Sequence, residues 1–121
     1  MPTFTADETA LYTYRAAPVR VVDGDTVDLT IDLGFRIRWT QRFRLAGLNA
    51  PELVGPDAAK AKDAAEFLKG LLFAAHEIRV ITHRDKGDKY GRWLVTIFAR
   101  TAAGWTDVNE ALVSAGHAVR M

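Results

Sequence analysis

Alternation of apolar and polar residues dominates the first half of the chain. Residues 12–31 favour β structure, with Val27, Leu29 and Ile31 on one face. In the run FRIRWTQRFRL (35–45), Phe43 and Leu45 lie on one face and Arg42 and Arg44 on the other. Successive side chains of a β-strand point to opposite faces, so both segments are predicted to be strands with one buried face. Two further strands are predicted from the runs IRVITHR (78–84) and WLVTIFAR (93–100).

Two segments have helical rather than strand periodicity. Residues 55–72 are predicted to form a helix, with Pro56 in the first turn, where proline is tolerated. A second helix is predicted from Asp107 to Gly116, because Asp107 with Glu110 three residues later is typical of a capped helix start. The apolar stripe of the first helix consists of Ala61, Ala64, Ala65, Leu68, Leu71 and Leu72.

The order of these elements predicts one α+β domain. About five strands at hairpin spacing, with one helix in the middle and one near the end, favour a five-stranded, OB-fold-like β-barrel with two packed helices. The length of 121 residues suits a single domain, and 49% hydrophobic residues are sufficient for its core. We assign residues 1–10 to a flexible N-terminal segment and residues 11–121 to the domain.

Composition excludes some chemistries and leaves others open. The chain has no cysteine, so disulfides, thiolate nucleophiles and cysteine-based zinc sites are excluded. With 16 Lys+Arg and 15 Asp+Glu the net charge is +1, which neither indicates nor excludes a nucleic-acid partner. No signal peptide or membrane-spanning run is present, so we expect a cytoplasmic protein or a mature secreted form, with no membrane partner.

The run VVDGDTVDL (21–29) raises a question because aspartate and glycine are poor strand formers. One interpretation is an acidic tight turn, in which Asp23 binds the backbone around Gly24. The other is a carboxylate corner that holds a cation, with Asp25 as its ligand. Asp28 lies on the polar face of the strand and is expected to be solvated.

Two later stretches combine charge with irregular backbone: FRLAGLNAPE (43–52) and DKYGR (88–92). Hard divalent cations take carboxylate, amide and backbone oxygens as ligands. Asp25, the Asn49 amide and the Ala50 main-chain carbonyl could together supply such a set.

Cleavage of a phosphodiester requires an activated water and positive charge where the transition state gathers negative charge. Glu52 could orient or deprotonate the water. Arg44 and Arg92 could each bind non-bridging phosphate oxygens through two N–H groups.

The runs VVDGDTVDL, FRLAGLNAPE, DKYGR and VNEALVSAGHA (108–118) resemble, in order and rough spacing, the staphylococcal nuclease (thermonuclease) family. The resemblance implies an OB-fold nuclease that depends on one calcium ion, hydrolyses DNA and RNA, and leaves 3′-phosphate ends. It also implies roles for particular residues: Asp25 as calcium ligand, Arg44 and Arg92 as catalytic arginines, Glu52 as general base, and Lys89 and Tyr90 as substrate contacts.

The chain departs from the family pattern at several positions. Asn49 stands where the best-known member has a second calcium-binding aspartate, and Ala50 replaces a threonine. Loss of one negative charge is expected to weaken calcium binding, because affinity follows ligand charge. The basic loop after Glu52 is also shortened to residues 53–55, and the family's nucleotide-stacking tyrosines have no counterpart in these 121 residues.

The function predicted from the sequence is therefore a monomeric, calcium-dependent nuclease acting on single-stranded or frayed DNA or RNA. The alternative is a non-catalytic nucleic-acid-binding module on the same fold. The remaining arginines of the 35–45 segment, Arg36, Arg38 and Arg42, are interpreted as a solvated face, although replacement of lost phosphate contacts explains them equally well. Five aromatic residues are interpreted as core or half-buried packing: Tyr12, Tyr14, Trp39, Trp93 and Trp105.

Overall fold

The structure is a computed structural model that describes residues 12–51, 55–83 and 93–121. These residues contain eight strands and two helices. In chain order they are β1 (Thr13–Asp23), β2 (Thr26–Asp32), β3 (Arg38–Leu45), β4 (Leu48–Asn49), α1 (Ala58–Phe73), β5 (Glu77–His83), β6 (Trp93–Thr101), β7 (Gly104–Asp107), α2 (Val108–Ser114) and β8 (Val119–Arg120).

A closed barrel is the centre of the fold. The main sheet has the strand order β3-β2-β1-β5-β6-β7, and β3 also pairs with β6. The β3–β6 pairing is parallel, with Phe43 opposite Trp93 and Leu45 opposite Val95. It closes β1, β2, β3, β5 and β6 into a five-stranded mixed barrel, which confirms the predicted α+β, OB-fold-like barrel with two helices.

The barrel interior is lined by the faces that the alternation predicted. Val27, Leu29, Phe43 and Leu45 are 0% exposed. Each such side chain contributes roughly 1.5–3 kcal/mol through burial. The same core includes Ile31, Leu48, Leu68, Leu72, Ile78, Val80, Val95, Ile97, Ala99, Val108 and Leu112.

Helix α1 begins later than predicted. Asp57 is its N-cap residue and Ala58 its first helical residue, so Pro56 precedes the helix instead of lying in its first turn. Gly55 has a φ of +103°, a left-handed conformation that breaks the chain direction before the helix. The buried face consists of Ala61, Ala64, Leu68 and Leu72.

Helix α2 begins and ends where the sequence predicted. The Asp107 carboxylate accepts a hydrogen bond from the Glu110 amide at 3.0 Å. At the other end Gly116 has a φ of +81°, and the amide of His117 donates to the Leu112 carbonyl at 2.9 Å. This is the Schellman arrangement, which favours glycine at that position.

Beyond α2 the chain returns to the barrel through a pairing that the sequence did not predict. In the short antiparallel β4–β8 sheet, Leu48 lies opposite Arg120 and Asn49 opposite Val119. The Met121 amide also donates to the Gly47 carbonyl at 3.0 Å. The end of the chain therefore braces the loop that follows β3.

The predicted packing of the aromatic residues is confirmed in part. Trp39 is 40% exposed, and Trp93 and Trp105 are each 46% exposed, so they are half-buried, one of the two predicted alternatives. Tyr14 packs partly buried against the core, whereas Tyr12, at 56% exposed, does not fit the prediction. Neither helix is long and apolar enough to cross a membrane.

Candidate active site

The turn between β1 and β2 is held by one of its own aspartates. The amide of Asp25 donates to Oδ1 of Asp23 at 3.2 Å, so Asp23 shapes the turn as the sequence predicted. Gly24 lies at a close approach: a Cβ added there would stand 2.8 Å from Cβ of Ala50 and 2.8 Å from Cβ of Ala64. Glycine is therefore needed because α1 and the loop after β4 press on this turn.

The Asp25 carboxylate is held by three neighbours. Its Oδ1 accepts a hydrogen bond from the Thr26 hydroxyl at 3.0 Å. Its Oδ2 accepts from the Ala50 amide at 3.1 Å and lies 3.8 Å from Nη2 of Arg44. The Asp25 side chain is 14% exposed and that of Arg44 16%, so both groups are partly shielded from water but still reachable.

Arg44 is positioned by strand register. It lies opposite Thr26 in the β2–β3 ladder, and the amide of Leu45 donates to the Asp25 carbonyl at 2.8 Å. Nη2 of Arg44 donates to the Leu48 carbonyl at 3.1 Å and to Oδ1 of Asn49. Within residues 12–51, 55–83 and 93–121, the hydrogen bonds of this guanidinium use Nη2 alone.

Asn49 is held on both sides of its amide. While its Oδ1 accepts from Arg44, its Nδ2 donates to Sδ of Met121 at 2.7 Å. The β4–β8 pairing that brings Met121 to this place thus sets the orientation of the Asn49 side chain. Sequence reasoning missed Met121, since no local pattern links positions 72 residues apart.

The two aspartates of the turn differ in charge state. Burial and the neighbouring Asp25 carboxylate raise the pKa of Asp23 to about 6. Burial alone would also raise the pKa of Asp25. Its interactions with Asp23, with the Ala50 amide and the Thr26 hydroxyl, and with the charge of Arg44 together lower that pKa below its ordinary value. Negative charge is therefore concentrated on Asp25.

The donor atoms at this corner match a hard cation in type. Asp25 brings a carboxylate, Asn49 an amide oxygen and Ala50 a backbone carbonyl, which are the ligand types that such ions take. In the part of the chain that the structure describes, no three His, Cys, Asp or Glu residues cluster as a metal site. The set fits a cation that keeps several waters, and the Asn49 oxygen has a second lone pair beside the one that accepts from Arg44.

The structure brings together four of the eight residues that the sequence analysis assigned to the site: Asp25, Arg44, Asn49 and Ala50. The other four, Glu52, Lys89, Tyr90 and Arg92, lie outside the described residues.

A buried asparagine holds the chain next to the site. The sequence analysis did not single it out. Asn109, 7% exposed, donates to the carbonyls of Ala46 at 3.0 Å and Val95 at 3.1 Å. Its Oδ1 accepts from the amide of Ile97 at 3.0 Å. It ties α2 to β6 and to the turn after Arg44. An asparagine at an otherwise apolar position of the predicted helix was the available signal.

Comparison with known proteins agrees with the barrel fold. Residues 42–121 match the family described as staphylococcal nuclease homologue. The chain is 33% identical over 110 residues to the protein named Micrococcal nuclease from Shigella flexneri, covering 87% of this chain and 57% of that protein. It is 31% identical over 109 residues to Protein ParB from Escherichia coli, covering 86% of this chain and 55% of that protein.

The chain belongs to the staphylococcal nuclease family. It spans a little over half the length of the two relatives. The match includes Arg44, Asn49, Ala50 and the four site residues outside the described ranges, whereas Asp25 precedes it.

Proposed function

We propose that this domain is a calcium-dependent phosphodiesterase that hydrolyses single-stranded or frayed DNA or RNA at the corner formed by Asp25, Arg44, Asn49 and Ala50. The observation that carries the proposal is the convergence of a partly buried carboxylate in the β1–β2 turn and a guanidinium on β3, 3.8 Å apart, in a nuclease-family barrel. The membership in the family supports a nucleic-acid substrate.

Arg44 is suited to bind the scissile phosphate. Its Nη2 is anchored to the Leu48 carbonyl and to Asn49, which fixes the plane of the guanidinium. The Nε and Nη1 groups are not used in the hydrogen bonds among the described residues, so each can donate to a phosphate oxygen. Such a fixed donor stabilises the charge that develops on phosphorus without reorganising.

Asp25 is suited to hold the cation, because its pKa is lowered and the carboxylate stays ionised. Asn49 and the Ala50 carbonyl would complete the protein's share of ligands. When bound, calcium would supply positive charge to a phosphate oxygen.

We assign the remaining roles from the sequence. Glu52, three residues beyond Asn49, would accept a proton from the attacking water or orient it. Arg92 would provide a second guanidinium for the phosphate, and Lys89 and Tyr90 would contact the substrate beside it. Attack on phosphorus and departure of the 5′ oxygen would leave a 3′-phosphate end.

The test is cleavage of single-stranded DNA by the purified domain, with calcium or with excess chelator. We expect cleavage only with calcium, and a loss of about 10²-fold or more in Glu52→Ala and Arg92→Ala, as is typical for removing a general base or an oxyanion donor. Glu77→Ala is a matched control, because Glu77 pairs with Arg15 and Arg79, beside the start of β1 and not at the turn where Asp25 lies. Binding without cleavage under every divalent ion tried would instead support the non-catalytic binding module.

A further inference from the structure

The segment after helix α2 is held against the rest of the domain by side chains as well as by its backbone. The ring of His117 lies against Phe67, with the ring centroids 4.6 Å apart. Ala118 is 7% exposed and belongs to the core. Nη2 of Arg120 donates to Oε1 of Glu110 at 2.5 Å. Strand β8 is therefore placed by packing and charge, and the side chains that it carries have a defined position.

The register of the β4–β8 pairing brings one long side chain of β8 beside Asn49. Asn49 lies directly opposite Val119. The Met121 amide donates to the Gly47 carbonyl at 3.0 Å, which continues the register by two positions. Gly47 brings no side chain of its own to that place. On one face of a sheet a long side chain also reaches the diagonal neighbour on the partner strand, and for Met121 that neighbour is Asn49.

Asn49 and Met121 meet through the nitrogen end of the amide. Nδ2 of Asn49 donates to Sδ of Met121 at 2.7 Å, while Oδ1 of Asn49 accepts from Nη2 of Arg44. A thioether can accept a hydrogen bond but has none to donate, and a guanidinium can donate but not accept. The two partners therefore select the same orientation of the amide from its two ends, with the oxygen toward Arg44.

An amide at this position needs such an orienting partner, whereas a carboxylate would not. The two oxygens of an aspartate are equivalent, so either one can face a cation. The two ends of an asparagine differ, because only the oxygen is a ligand for a hard cation and the NH2 group is a donor. Rotation of the Asn49 amide by half a turn would therefore replace a ligand with two N–H groups.

We propose that Met121 is a positioning residue for the proposed calcium site, because its thioether keeps the Asn49 oxygen turned toward the corner formed by Asp25, Arg44, Asn49 and Ala50. The inference rests on the proposed function, in which Asn49 is a calcium ligand. It adds to that site a residue 72 positions away in the chain.

The size of the effect follows from the two partners of the amide. Asn49 is exposed, so water competes with the sulfur for its NH2 group. The thioether has the advantage that the Met121 backbone is already fixed by its bond to Gly47, so that less freedom is lost in the contact. Arg44 holds the oxygen end independently. Loss of the sulfur should therefore weaken calcium binding without abolishing it.

The first test observes the Asn49 amide directly, in the calcium-free protein. We expect the two side-chain NH2 proton signals of Asn49 in a ¹H–¹⁵N spectrum to move toward those of a free amide in Met121→Leu, which conserves volume and removes the acceptor. Val119→Ala is the matched control, because Val119 is 67% exposed and Met121 65%, and Val119 has no acceptor. Identical Asn49 signals in wild type and Met121→Leu would overturn the inference.

The second test is calcium affinity, measured by isothermal titration calorimetry. We expect Met121→Leu to weaken calcium binding by about 2- to 13-fold, the range that corresponds to the net contribution of one hydrogen bond. Met121→Gln supplies an amide oxygen as acceptor at a similar reach and should restore the affinity to within about twofold of wild type. Wild-type affinity in Met121→Leu would contradict the inference, as would a loss in Met121→Gln as large as that in Met121→Leu.

A carboxylate at position 49 distinguishes orientation of the amide from a general support by β8. In the Asn49→Asp background, Met121→Leu should leave calcium affinity unchanged, because a carboxylate has no end that faces the wrong way. If Met121 acted only by bracing the loop after β3, the same substitution would weaken calcium binding equally in both backgrounds. Equal losses in the two backgrounds would therefore overturn the inference.

Cleavage kinetics separate this inference from the proposed function. We expect Met121→Leu to cleave single-stranded DNA slowly at limiting calcium and at nearly the wild-type rate at saturating calcium, because an occupied site holds the Asn49 oxygen in place. If wild type cleaves with calcium and Met121→Leu matches it at every calcium concentration, Met121 is not a positioning residue and the proposed function stands. If wild type neither binds calcium nor cleaves, the proposed function fails and the inference fails with it.

Discussion

The Arg42–Asp28 pair joins β3 to β2, and the Arg44–Asp25 pair joins β3 to the turn that precedes β2. The two arginines lie two residues apart along β3. Arg42 lies directly opposite Asp28 in the ladder, with Nε to Oδ1 at 2.9 Å and Nη2 to Oδ2 at 3.3 Å. Arg44 lies opposite Thr26 and reaches Asp25 at 3.8 Å. The same residue types therefore form a direct bidentate pair in one place and a looser one in the other.

The surroundings of the two pairs also differ, because the direct pair is more exposed and the looser pair is partly buried. Arg42 is 49% exposed, and its two hydrogen bonds among the described residues go to Asp28. Arg44 is 16% exposed and is held by the Leu48 carbonyl and Asn49, while Asp25 is held by Thr26 and Ala50. In the first pair the guanidinium and the carboxylate are already bound to each other. The second is fixed by other groups and keeps donor and acceptor capacity for a ligand.

If Asp25 is available to a ligand and Asp28 is not, removing the charge of each carboxylate should affect calcium binding differently. Asp25→Asn should weaken calcium binding at least about tenfold, the loss caused even by removing partners one shell out from a metal. Asp28→Asn should leave it unchanged. Isothermal titration calorimetry with calcium measures both. Equal calcium affinity in wild type and Asp25→Asn would remove Asp25 from the ligand set.

The packing of the turn against α1 and Ala50 gives a stability prediction. Gly24→Ala should destabilise the domain by about 1–3 kcal/mol, because the added methyl overlaps Ala50 and Ala64. Denaturant unfolding measures this, with Gly70→Ala as control, since nothing lies within 4 Å of a Cβ at Gly70. A wild-type free energy of unfolding in Gly24→Ala would show that the turn has room to move.

A negative charge added at position 49 tests whether this residue is a calcium ligand beside the Asp25–Arg44 pair. Asn49→Asp is expected to tighten calcium severalfold, because affinity follows the number of anionic ligands. Gln41→Asp adds the same charge on β3 away from the corner and should have no effect. Unchanged or weaker calcium affinity in Asn49→Asp would mean that position 49 serves to orient Arg44 and is not a ligand.

The smallest effect is expected for the exposed Arg42–Asp28 pair, which should affect only the stability of the domain. The hydrogen bond and charge of Arg42 lower the pKa of Asp28. A carboxyl with a lowered folded pKa stabilises above its unfolded pKa of about 3.9 and loses that contribution as pH falls through the folded value. A double-mutant cycle with Asp28→Asn and Arg42→Gln should give about 0.2–1 kcal/mol at pH 7, as for exposed pairs, and less as the pH falls through the folded pKa of Asp28. A coupling that does not decrease as the pH is lowered would contradict this assignment.

The barrel was predictable because its signals are local. Period-two alternation placed Phe43 and Leu45 inside, and the capping pattern from Asp107 to Glu110 gave the start of α2. The Asp25 corner was predicted from charged motifs and family resemblance together. Its geometry was not, because Asp25 meets Ala50 across 25 residues.

What the sequence did not reveal depends on register and on distant pairing. Asp28 and Arg42 were expected to be solvated, yet the β2–β3 register sets them face to face, and a one-residue shift would have separated them. The β4–β8 pairing joins residues 70 or 72 positions apart. Trp39 lies on β3 before the β3–β6 pairing begins at Phe43, and local alternation cannot distinguish such a position from a buried one.

The most direct test of the central claim compares Arg44→Gln with Arg42→Gln in calcium-dependent cleavage of single-stranded DNA. Both variants remove one guanidinium from β3, and each of these guanidinium groups pairs with an aspartate. The account predicts a loss of about 10²- to 10³-fold for Arg44→Gln, as for removal of one transition-state donor, and a rate within about twofold of wild type for Arg42→Gln. Equal rates in the two variants would contradict it.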